Sequence, residues 1–146
     1  MTTGLDVFDT TIQETNLWLK DLMTKLGTDD RRQAYRLLRA TLHALRDRIG
    51  PGNAIHFGAQ LPMLLRGLYY EGWRMEATQT RERHTQAFLD HVNAETGGAL
   101  GDDTESGVRA VFEVVWDKID PGEVAKVIEF FPAELRDLWP RLARAD

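Results

Sequence analysis

Apolar residues recur every three or four positions along most of the chain, the spacing of helices that bury one face. Phe8, Ile12, Thr15, Leu19, Leu22 and Leu26 form the first stripe, and Gly27 before Thr28-Asp29-Asp30 reads as a terminal glycine leading into an N-cap. A second stripe, Ala34, Leu37, Leu38, Thr41, Leu42, Leu45 and Ile49, stops at Gly50-Pro51-Gly52, which predicts a helix over about residues 30–49. Pro51 suits the first position of a third helix, because its missing N–H has no partner there anyway, and Pro62 restarts the chain at a short fourth. No alternating stretch competes with these patterns, so the expected class is all-α.

The chain also matches itself without a gap at an offset of seventy positions. Arg39, Ala40, Asp47, Ile49, Pro51, Gly52, Pro62, Leu65, Arg66 and Leu68 meet identical residues at Arg109, Ala110, Asp117, Ile119, Pro121, Gly122, Pro132, Leu135, Arg136 and Leu138. Trp18-Leu19 falls on Phe88-Leu89, Gly27 on Gly97 and Tyr69 on Trp139. Two copies are therefore expected, over about residues 10–70 and 80–140, with a polar joint at 74–79. The second copy is expected to open with a helix over about 81–95, then a glycine- and acid-rich loop over 97–105, then helices from Ser106, Pro121 and Pro132. Asp120-Pro121-Gly122-Glu123 has the form of a capping box. Each copy is too short to hide its apolar face alone, so the expectation is one pseudo-symmetric domain over residues 1–146.

Length and composition agree with that picture. The 146 residues, 42% hydrophobic and 28% charged, suit one globular domain and exclude disorder. With no cysteine, disulfides, thiolate zinc sites, iron–sulfur clusters and cysteine nucleophiles are excluded. No leader pattern and no apolar run of the roughly 18 residues needed to span a bilayer is present, so the expected setting is cytoplasmic, away from membranes. Residues 1–73 carry nine Lys/Arg against eight Asp/Glu and residues 74–146 nine against fifteen, so the halves are +1 and −6. That balance disfavours general adsorption to nucleic acid.

Three groups of polar residues stand out. Asp47 and Asp117 lie near helix C-termini, where the macrodipole opposes negative charge, and the expectation is that Arg66 and Arg136 of the fourth helices brace them as Asp47–Arg66 and Asp117–Arg136 pairs. Arg32, Arg36, Arg39, His43 and Arg46 form a basic stripe on the polar side of the second helix: either a solvated or internally salt-bridged face, or an anion-binding one. Tyr70, Trp73 and Arg74, in the run Tyr69-Tyr70-Glu71-Gly72-Trp73-Arg74, form a candidate interface, with core packing the alternative and favoured for Tyr69.

Catalytic signatures are missing. The four histidines, His43, His56, His84 and His91, form no HExxH or ExxH arrangement, and His84, His91 and Glu95 on one helix make a weak metal set. The single serine, Ser106, lacks the nucleophile-elbow context, and no phosphate loop occurs. No catalytic residue, cofactor or metal is assigned.

The run from Phe8-Asp9 through Gln13-Glu14-Thr15-Asn16, Asp30-Arg31-Arg32-Gln33-Ala34-Tyr35, Gly58-Ala59-Gln60-Leu61-Pro62 and Tyr69-Tyr70-Glu71-Gly72-Trp73 resembles the bacterial domain of unknown function (DUF) 2267 family. Arg109-Ala110-Val111-Phe112, Pro121-Gly122-Glu123 and Leu138-Trp139-Pro140 carry the resemblance through the second half, so it spans about residues 5–140. It implies a helical bacterial protein without an assigned reaction, and brings no functional residues with it. The leading expectation is a non-enzymatic module that binds a protein, a second copy of itself or a small ligand through the Tyr70–Trp73 edge or the groove between copies. The alternative is nucleic-acid or anion binding through the second-helix arginines. An enzyme with a cleft around His43 ranks last.

Overall fold

The computed structural model describes residues 2–74 and 82–144, which are helical with no strand among them. Helix α1 (Asp6–Leu26) ends at Gly27, whose φ of 68° suits a residue without a Cβ, and the Thr28 N–H reaches back to the Met23 carbonyl at 3.1 Å. The Asp30 carboxylate then accepts the Gln33 N–H at 3.0 Å and starts α2 (Arg31–Ile49). Pro51 opens α3 (Pro51–Gly58), and α4 (Met63–Tyr70) follows Pro62.

In the second half, α5 (Thr85–Thr96) ends at Gly97, also left-handed at φ 66°, and a single 3₁₀ turn, Gly101–Asp103, leads into α6 (Thr104–Lys118). Helices α7 (Pro121–Glu129), α8 (Ala133–Arg136) and α9 (Arg141–Arg144) complete the described chain. Among the described residues no helix is long and apolar enough to cross a membrane.

Helix α2 is the axis of the fold. It packs against α1, α3 and α4 from its own half and against α5 and α6 from the other. Every residue from Ala40 to Asp47 is buried, so this segment has no solvent face at all. Alanines at positions 34, 40 and 44 let neighbouring helices come close, while Leu37, Leu38, Leu42 and Leu45 fill the space between them. Burial of each such leucine is worth about 1.5–3 kcal/mol. The second half contributes aromatics instead: Phe112 lies parallel to Trp139 with ring centres 4.0 Å apart, and Phe88 and Phe131 pack around them.

Several local expectations change. The expected start of α5 near residue 81 lies outside the described residues, and His84 is extended, so the helix begins at Thr85. The Glu82 carbonyl accepts from Arg48 Nε at 2.7 Å, and its carboxylate holds His91, which directs the chain away from a helical path. The capping box at Asp120 is half formed: Asp120 accepts from the Gly122 N–H at 3.0 Å, whereas Glu123 turns to His56 at 2.6 Å. Beyond Arg74 the expected polar joint lies outside the described residues.

Candidate functional site

Helix α4 is fixed by its buried side and leaves an apolar face open. Leu65 and Tyr69 point into the core, the Tyr69 hydroxyl donates to the Ala54 carbonyl at 2.7 Å, and the Leu64 N–H donates to the Thr11 hydroxyl of α1 at 2.8 Å. These anchors turn Met63, Leu64 and Gly67 outward beside Phe8 and Ile12. Phe8, Met63 and Leu64 are 47%, 51% and 47% exposed, high values for large apolar side chains set close together.

Between α1 and α4 runs a groove made of adjoining cavities. The first, about 350 Å³, is lined by Phe8, Thr11, Ile12, Met63, Leu64 and Gly67. Leu64 and Gly67 also line the second, about 560 Å³, together with Thr15, Leu19, Tyr35 and Tyr70. Tyr35 and Glu71 then border a third, about 490 Å³, where Arg36, Arg39 and Glu95 replace the apolar walls. The groove is thus apolar along α1 and charged where it meets α2 and α5.

The charged end rests on a network between α2 and α5. His43 is buried, with Nδ1 2.9 Å from Glu95 Oε1 and Nε2 2.7 Å from the Leu68 carbonyl. Arg39 donates to Glu71 at 2.7 Å and to Glu95 at 3.1 Å. Burial pushes the Glu95 carboxyl up, but the His43 hydrogen bond and the charges of His43, Arg39 and Arg46 outweigh it and leave it below the usual carboxylate range. Asp47 goes the other way. Its burial outweighs Arg46, 3.0 Å away, and the nearby histidines, so its carboxyl is raised.

The basic stripe is therefore not one exposed face. Arg32 and Arg36 are exposed, Arg39 is half-buried between two glutamates, and His43 and Arg46 are buried. Arg46 donates to the Tyr69 and Glu71 carbonyls and to Asp47, so it is closed to any outside anion. The cause is the central position of α2, whose polar side faces α5 instead of solvent.

The expected aspartate–arginine braces are also replaced. Arg66 donates to the Gly58 and Leu61 carbonyls at 3.1 and 2.9 Å, and Arg136 to the Phe131 and Glu129 carbonyls at 2.8 and 3.1 Å. Each arginine thus satisfies carbonyls left open at the end of the preceding helix. Asp47 belongs to Arg46 and His91, and Asp117 pairs with Lys25 at 3.1 Å.

Tyr70 and Trp73 are half-buried against the core with ring centres 5.6 Å apart, and Arg74 is exposed. Only Tyr70 of these lines the groove. Of the weak metal set, His91 pairs with Glu82 and Asp47, His84 with Glu134, and Glu95 with His43. Among the described residues no three His, Cys, Asp or Glu side chains are grouped to hold a metal ion.

The family described as uncharacterized conserved protein (DUF2267) matches residues 15–138. The chain belongs to the DUF2267 family. The matched DUF2267 span contains α4, α2 and the whole charge network, and the α1 wall of the groove from Thr15 onward; Phe8 and Ile12 precede it. A search of curated proteins finds no match.

Sequence reasoning did not single out Met63, Leu64 and Gly67 as site residues in this DUF2267 chain. The usable signal was Met63-Leu64-Leu65: three consecutive apolar residues in a helix span too wide an arc for one buried face.

Proposed function

We propose that this chain is a non-enzymatic protein-interaction module whose docking surface is the groove between α1 and α4. The observation that carries this reading is the open apolar wall of Phe8, Met63 and Leu64 around Gly67. A surface of this kind is costly in water and is covered favourably by a partner. In the charged network at its far end, Arg39, His43, Glu71 and Glu95 are already paired with one another, which favours recognition over chemistry.

The same proposal includes a plan of two related copies forming one domain. In its support, α1 and α5 end at left-handed glycines seventy positions apart, and α3 and α7 start at Pro51 and Pro121. Helix α1 packs on α6 as α2 packs on α5, the exchange of partners that a two-fold relation requires. The interface charges follow suit: Lys25 pairs with Glu113 and Asp117, while Glu95, at the position matching Lys25, pairs with His43, which matches Glu113. The groove itself belongs to the first copy alone, since Leu64 and Gly67 correspond to Glu134 and Asp137.

The anion-binding alternative retains two of its five residues, Arg32 and Arg36, which border a further cavity of about 300 Å³ with Leu100, Arg36 also bordering the charged end of the groove.

A photo-crosslinking residue at Leu64, with one at Glu129 of α7 as control, tests the docking surface in cells expressing the chain. The expected result is a discrete adduct from position 64, absent from position 129 and suppressed by Gly67→Trp. An adduct of twice the chain mass identifies a second copy as the partner. Equal labelling at both positions, or none at 64, overturns the reading.

A further inference from the structure

We infer that the element received by the α1–α4 groove is an amphipathic α-helix that crosses α4 at Gly67 and carries a carboxylate side chain at the end facing Arg36. The inference rests on the docking reading above and adds the partner's form and charge.

Gly67 lies in the interior of α4, where glycine costs about 1 kcal/mol relative to alanine. Nothing among the described residues asks for it. Its φ is not positive, and a Cβ built there would have no neighbour within 4 Å among the described residues. Gly107 differs, because a Cβ there would lie 3.0 Å from the Leu37 side chain, so helix packing within the chain accounts for it. At Gly67 the missing side chain instead opens the outer surface of α4, on the wall shared by the two apolar cavities. A bare helical backbone flanked by Leu64 and Leu68 admits close approach of another helix, as small residues do at tight helix crossings.

The groove has the length of a short helix. Phe8 and Leu19 mark its extent along α1, eleven residues apart, or about 16 Å at 1.5 Å per residue. About three turns of a partner helix fit alongside, presenting apolar residues at positions i, i+4 and i+7 to the walls.

Charge sets the polarity. At the far end Arg39 is taken up by Glu71 and Glu95, and Glu95 is held further by His43. Arg36, exposed one turn earlier on α2, has no carboxylate partner among the described residues. An acidic residue on the incoming helix completes that arrangement, and a basic one faces an uncompensated guanidinium.

The test is a displayed library of 16-residue helix-forming peptides with randomised faces, selected on the full chain and then measured on Gly67→Trp, Leu64→Glu and Arg36→Glu. Circular dichroism establishes that each variant folds. The expected winners carry apolar residues at helical spacing and Asp or Glu at one end. They lose binding to Gly67→Trp and Leu64→Glu and weaken about tenfold on Arg36→Glu. Winners that ignore both groove variants overturn the docking reading and this inference together, and no winners at all overturns this inference. Winners excluded by the groove variants but non-helical, or indifferent to Arg36→Glu, overturn the inference and leave the docking reading standing.

Discussion

His43 and Glu95 form a hydrogen-bonded pair 2.9 Å apart that joins α2 to α5, and the other His43 ring nitrogen is held by the Leu68 carbonyl at 2.7 Å. Both ring nitrogens face acceptors, so the ring has a partner on each side. His43→Ala takes the partner from Glu95 Oε1 and from the Leu68 carbonyl at a packed interface, while Arg39 still holds Glu95 Oε2. The expected loss is about 2–3 kcal/mol in urea unfolding at pH 7, and an unchanged midpoint contradicts this role.

Acid sensitivity follows from the same pair. Because the folded-state Glu95 carboxyl is depressed, its contribution is fully present above the unfolded carboxylate range and disappears as pH falls through the folded value. Glu95→Gln should therefore lose stability at pH 7 and show a flatter decline below about pH 4.5. Parallel acid limbs for variant and parent count against the assignment.

Asp47 has the opposite sign. Burial raises its folded carboxyl, so protonation favours the folded state and stability falls as pH rises from the unfolded value through the folded one. Asp47→Asn keeps an oxygen for Arg46 and removes the buried charge. Its urea midpoint at pH 7 should equal or exceed that of the parent; a clear decrease means the charge itself holds Arg46 and His91 in place.

Two glycines separate packing from openness. At Gly58 an added Cβ would fall 2.8 Å from Tyr70 Cζ and 2.9 Å from Tyr69 Cε2, and closer still to the Tyr70 hydroxyl, whereas at Gly67 it meets none of the described residues within 4 Å. Gly58→Ala should destabilise by about 1–3 kcal/mol, and Gly67→Ala should stabilise by about 1 kcal/mol. Thermal melts of the two variants moving in the same direction refute this distinction.

Trp139 stacks on Phe112 and is 1% exposed, yet its indole N–H has no hydrogen-bond partner among the described residues. Trp139→Ala should cost about 3–5 kcal/mol and remove much of the near-ultraviolet dichroism. Trp139→Phe should cost distinctly less, because it retains stacking and removes the unpaired donor. Equal losses mean that the cavity, not the stacked ring, governs the site.

Helix boundaries were legible wherever a local rule set them: Gly27 and Asp30 between α1 and α2, Pro51 and Pro121 at the starts of α3 and α7. The destinations of polar side chains were not, because they depend on which helices meet. Arg46 reads as a surface residue until α2 is enclosed, and Arg66 reads as a partner for Asp47 until the open carbonyls of Gly58 and Leu61 come within reach. Phe8 fits a core stripe by spacing, yet it lies on the open groove beside Met63 and Leu64 of α4 and is 47% exposed. The groove escaped for the same reason: openness is a property of neighbours, and sequence spacing describes only one helix at a time.

The enclosure of α2 from Ala40 to Asp47 bears on how this protein can be divided. A fragment ending at Arg74 would expose the surface that α5 and α6 cover and deprive His43 of Glu95, while the remaining fragment would retain Phe112, Trp139 and their neighbours without the helix they surround. Two such pieces, mixed, would be expected to fold by finding each other, with α2 threaded into the second piece as the shared spine of a reconstituted whole.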